Sequence, residues 1–105
     1  MNNQREPFTI RDLQSLIRDR YHATDAQRGT AGTFMWLIEE VGELATALHE
    51  CDPKNNPTPD QRANLAEEFA DVIAWLTTLA NVNDIDLEHA LEKYRDPTRV
   101  QGVKP

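Results

Sequence analysis

The chain has 105 residues, a formal net charge of −7 and one cysteine, Cys51. That length fits a single domain over residues 1–105, with a core at about 8–95 and a basic tail over 96–105. The composition excludes an internal disulfide, and no stretch approaches the roughly 20 apolar residues that span a bilayer.

The first seven residues carry no apolar signal core, so a reducing, cytoplasmic setting is the expectation. The charge is unevenly spread. Residues 34–76 hold nine acids and two bases, and residues 93–105 hold four bases and one acid. A nucleic-acid binder presents a broad basic face, which this pattern does not supply. An acidic middle can still receive a polyphosphate through a metal ion.

In chain order the pattern predicts an all-α fold of four helices. The first runs from about Thr9, a capping residue, to about Tyr21, with Ile10, Leu13, Ile17 and Tyr21 as its apolar stripe. Residues 25–33, with two glycines, read as a loop. The second helix runs from about Phe34 to about Glu50. Three prolines between Asp52 and Pro59 break the chain, and the third helix follows from about Asp60 to about Val82. A fourth begins near Asp86 as cap and ends before Pro97. No run alternates long enough to make a strand.

The second and third helices share a pattern. Leu37-Ile38-Glu39-Glu40-Val41-Gly42-Glu43-Leu44 is echoed by Leu65-Ala66-Glu67-Glu68-Phe69-Ala70-Asp71-Val72. In each, two acids lie one turn apart on one face, bordered by an apolar stripe: Leu37, Val41, Leu44 and Leu48 in the first, Leu65, Phe69, Val72 and Leu76 in the second. If both stripes pack inward in an antiparallel hairpin, Glu43 meets Glu68 and Glu40 meets Asp71, each pair equidistant from the turn. Four carboxylates at the edge of a core repel unless a cation joins them. Oxygen-only ligands favour a hard ion, magnesium with manganese as a substitute.

Here the sequence resembles the MazG-like all-alpha nucleotide pyrophosphohydrolases, from the first helix to about Arg99. The resemblance rests on Glu40-Val41-Gly42-Glu43, 24 intervening residues and Glu68-Phe69-Ala70-Asp71. It implies hydrolysis of a nucleoside triphosphate to the monophosphate and pyrophosphate, magnesium dependence, and a homodimer or dimer of dimers forming a helical bundle. Phosphoribosyl-ATP pyrophosphohydrolase activity shares that chemistry, and a non-catalytic helical interaction module is the alternative outside enzymes.

Within this reading Glu40 and Glu43 are the catalytic candidates, and Glu40, Glu43, Glu68 and Asp71 the metal ligands. Trp36 and Trp75 lie level beside the acids and either stack a base or are core or subunit-contact residues. The family's Lys-x-x-Asn-x-x-Arg is matched by Lys93 and Arg99 as phosphate-binding candidates, with Asp96 in place of the asparagine. Arg95 and Lys104 are weaker candidates for the same role. Glu39 and Glu67 read as surface charge, and His22, His49 and His89 have no ligand spacing.

Overall fold

A computed structural model describes residues 6–99, and Lys104 lies outside them. Three α-helices and two short 3-10 turns make up the fold: α1 (Ile10–Glu50), a turn at Pro53–Asn55, α2 (Pro59–Val82), α3 (Leu87–Leu91) and a turn at Glu92–Tyr94. No strand occurs among the described residues. No helix among them is long and apolar enough to cross a membrane.

The expected four helices are three. The segment 25–33 is not a loop, because the first and second expected helices fuse into α1. Gly29 alone leaves helical backbone, with φ 78° and ψ −177°. The chain kinks at that one residue, so α1 is two helical segments joined end to end at Gly29. Two reciprocal capping boxes fix where the long helices begin. Thr9 and Asp12 exchange bonds at α1, and Thr58 and Gln61 do so at α2, where Pro59 fits the first turn. The expected fourth helix shrinks to five residues behind its Asp86 cap before the chain tightens into the second 3-10 turn.

α1 and α2 form the hairpin, and α2 packs along both halves of the kinked helix. Near the connection the core is apolar: Ala47, Cys51 and Leu65, with Leu44 against them. The Cys51 thiol is buried and donates to the Gln61 carbonyl at 3.3 Å. At the far end the core is polar and paired. Gln14 donates to the Ile85 carbonyl at 2.6 Å and accepts from Leu87 N–H at 3.0 Å. Asn81, 1% exposed, donates to the Gln14 carbonyl at 3.2 Å. These bonds tie the chain after α2 back onto the start of α1.

The stripes do not pack inward whole. Leu37 and Leu65 are buried, and Leu44 and Val72 are half-buried. Val41, Leu48, Phe69 and Leu76 are exposed, as is Tyr21 at the end of the first stripe. A two-helix contact covers only a narrow seam of each helix, so the outer edge of each stripe turns outward.

The kink yields a paired expectation. A Cβ on Gly29 would touch nothing within 4 Å, so Gly29→Ala acts through backbone strain alone and should cost about 1–3 kcal/mol. Gly42 also has open space but sits in regular helix, so Gly42→Ala should stabilise by about 0.5–1 kcal/mol. Urea denaturation of both variants checks the opposite signs.

Candidate metal centre

The second half of α1 carries Glu40 and Glu43, and the first half of α2 carries Glu68 and Asp71. Helical spacing puts each pair on one face, and the antiparallel hairpin turns those faces toward one another. One carboxylate oxygen each from Glu40, Glu68 and Asp71 lies within 4.8 Å of the others. Glu43 falls outside that group of three and is exposed. It is still close enough that its charge acts on both Glu40 and Glu68.

Glu40 and Glu68 are half-buried, and each keeps one Oε2 atom shielded from water with no hydrogen-bond partner. Loss of hydration is the main reason both carboxyls titrate above the usual range. For Glu40, repulsion from Glu43 and Asp71, hydrogen bonding with Glu43 and repulsion from Glu68 add to it. For Glu68, repulsion from Glu43 and Asp71, hydrogen bonding with Glu43 and repulsion from Glu67 do the same. Unpaired, shielded oxygens among like charges are what a hard cation would relieve, so the donor set fits a divalent ion bound through oxygen.

Next to the acids, Trp36 and Trp75 meet as their level positions require. Their rings stack on each other, 5.8 Å between centroids and 13° from parallel. The other expected site residues are not joined to the acids by any polar contact among the described residues. Lys93 holds its ammonium 5.1 Å from the Tyr94 ring. Arg99 is exposed and bonds through its backbone to the Asp96 carbonyl. Asp96, in the asparagine position, folds back to accept from the Thr98 hydroxyl at 2.7 Å and its N–H at 3.0 Å. Arg95 pairs with Glu92 at 3.2 Å. Glu39 and Glu67 are exposed.

Sequence reasoning passed over Asp25 and Arg28, because they fall in the segment read as a loop. Asp25 is 4% exposed and accepts from both terminal nitrogens of Arg28, at 3.2 and 3.0 Å. The Arg28 guanidinium carbon lies 5.0 Å over the Trp75 ring. The available signal was their i,i+3 spacing, which pairs opposite charges on a helix but means nothing in a loop.

Residues 28–98 match the model of the MazG nucleotide pyrophosphohydrolase domain. An uncharacterized Bacillus subtilis protein, YpjD, is 32% identical over 88 residues, covering 81% of this chain and 78% of its own. A cyanophage S-2L protein named dATP/dGTP diphosphohydrolase is 29% identical over 85 residues, covering 81% of this chain and 69% of its own.

The raised carboxyls give a signed expectation. In the metal-free protein Glu68 is harder to ionise when folded than when unfolded, so its ionisation opposes folding at neutral pH. Relative stability from this group is full below its ordinary value of 4.5 and is lost as pH rises through the raised one. Glu68→Gln should therefore raise the melting temperature of metal-free protein at pH 7, with a gain that shrinks toward pH 4.5. Added magnesium should raise the melting temperature of the wild type and leave the variant unmoved. Differential scanning fluorimetry across that pH range checks both.

Proposed function

Because the chain belongs to the MazG nucleotide pyrophosphohydrolase domain family, we propose that it is a magnesium-dependent enzyme that hydrolyses a nucleoside triphosphate to the monophosphate and pyrophosphate. The observation that carries this reading is the convergence of Glu40, Glu68 and Asp71, with shielded, unpartnered oxygens on the first two. Purine deoxynucleoside triphosphates come first among substrates, since the cyanophage relative is named a dATP/dGTP diphosphohydrolase.

A bound magnesium or manganese ion supplies charge that polarises a phosphate and acidifies a water. Glu40, Glu68 and Asp71 hold the ion. Glu43, exposed and outside that tight group, orients a water for attack on the α-phosphate and takes its proton. Trp36 and Trp75, stacked on each other beside the acids, wall the side of the site where the base lies. Lys93 and Arg99 offset charge on the departing pyrophosphate. The lone cysteine suits a reducing cytoplasm.

The working form is a homodimer or dimer of dimers. Phe34, Ile38, Val41 and Leu48 recur at helical spacing on α1 and are exposed, as are Phe69, Ile73 and Leu76 on α2. A second hairpin laid on this face completes a helical bundle and removes an apolar patch that a monomer would leave in water.

A screen of common nucleoside triphosphates with and without magnesium tests the activity by pyrophosphate release. Metal-dependent release is expected, with loss of at least a hundredfold in Glu43→Ala or Asp71→Ala at unchanged helical circular dichroism; wild-type turnover in either variant would sink the assignment. For the assembly, Ile38→Glu places a charge in the shared face. Sedimentation at micromolar concentration should show the wild type as a dimer or larger and the variant shifted to monomer.

A further inference from the structure

Between the first half of α1 and the second half of α2 lies a cavity of about 330 Å³. That is within the range of small-molecule sites. Its walls include Ile17, Tyr21, Ala74 and Trp75, and its only charged groups among the described residues are Asp25 and Arg28. Ala74, Trp75 and Thr78 follow Asp71 by three, four and seven positions, so this wall continues the face of α2 that carries the acid. One to two helical turns amount to roughly 5–10 Å. A nucleotide with its phosphates at the acids would reach this cavity with its base.

Arg28 is built into the cavity wall. Its terminal nitrogens donate to Asp25 Oδ1 and reach the Thr33 hydroxyl at 3.5 Å, and Thr33 is fully buried. Trp75 lies beneath its guanidinium carbon. Gly32 makes room, since a Cβ there would sit 2.8 Å from Arg28 Cγ. A guanidinium has five N–H donors. These bonds leave Nε–H and one Nη2–H of Arg28 without a partner among the described residues.

We propose that Arg28 is a specificity-determining residue that donates to an acceptor on the base of the nucleotide, with Asp25 as its positioning residue. The proposal rests on the nucleotide-hydrolase reading above. Charge decides for the base over a phosphate: the Arg28 cation is already matched by a carboxylate 3.0 Å away. A neutral ring nitrogen or carbonyl suits a compensated guanidinium, whereas a phosphate needs uncompensated charge. A buried ion pair adds little net stability. Asp25 nonetheless keeps one shielded oxygen, Oδ2, without a partner. Fixing Arg28 in the cavity accounts for that cost.

The test compares a deoxynucleoside triphosphate that the wild type hydrolyses with 2-deoxyribose 5-triphosphate, which has phosphates and sugar but no base. The variants are Arg28→Gln, the charge-neutral double variant Asp25→Asn/Arg28→Gln, which leaves no buried ion unpaired, and Gly32→Ala, which displaces Arg28 but keeps the ion pair. Losing a hydrogen bond from a charged donor should raise KM for the nucleotide about tenfold or more, with kcat changed much less. KM for the base-free triphosphate should stay at the wild-type value. Equal losses on both substrates would assign Arg28 to the phosphates or to folding, and an unchanged KM for the nucleotide would remove it from the site; either overturns the proposal while the hydrolase reading stands. Failure of the wild type to hydrolyse any nucleoside triphosphate overturns both.

Discussion

Packing α1 against α2 brings carboxylates of like charge to one edge of a half-dry seam, and much of the chain can be understood from that conflict. Glu40, Glu68 and Asp71 approach within 4.8 Å because the residues beside them are buried: Leu37 and Leu65 fix the rotation of each helix. The helices cannot turn their acids to water without exposing those leucines. The repulsion is therefore held in place by the hydrophobic effect, and it adds to loss of hydration, the larger cause, in making two carboxyls resist ionisation. An oxygen-coordinated cation would resolve the conflict directly.

The kink at Gly29 serves the same end by different means. A straight helix of 41 residues would extend roughly 60 Å, and one half of it would leave α2 behind. Bending at one glycine lets the first half lie along the second half of α2, where Gln14 and Asn81 secure it. That return encloses the cavity beyond Trp75. The carboxylate cluster and the cavity thus depend on the same two helices, and α2 joins them with one continuous face.

Much of the site could be read in the sequence because counting residues from a hairpin turn is reliable geometry. The level pairing of Glu40 with Asp71, and of Trp36 with Trp75, needed only the helical rise and one connection rich in proline. Glu43 is level with Glu68 and its charge acts on both Glu40 and Glu68, although it is exposed and lies outside the group of three whose oxygens approach within 4.8 Å. The loop assigned to residues 25–33 failed for a local reason. Gly29, Gly32, Asp25 and two threonines all favour turns, but tertiary contacts hold all except Gly29 in helical conformation. That misreading hid the Asp25–Arg28 pair. The outward turn of Val41, Leu48, Phe69 and Leu76 was hidden too, since a hydrophobic stripe records how much surface wants cover and not which neighbour supplies it.

Manganese is a direct probe of the carboxylate cluster, because its electron paramagnetic resonance signal falls as the ion leaves bulk water for protein ligands. Titrating manganese into wild-type protein and into Asp71→Asn, with no nucleotide present, separates cation binding from every later step. The expected result is saturable binding to the wild type that magnesium displaces, and loss of that binding in Asp71→Asn with the helices intact. Equal, weak and unsaturable binding to both proteins would contradict a metal centre at Glu40, Glu68 and Asp71.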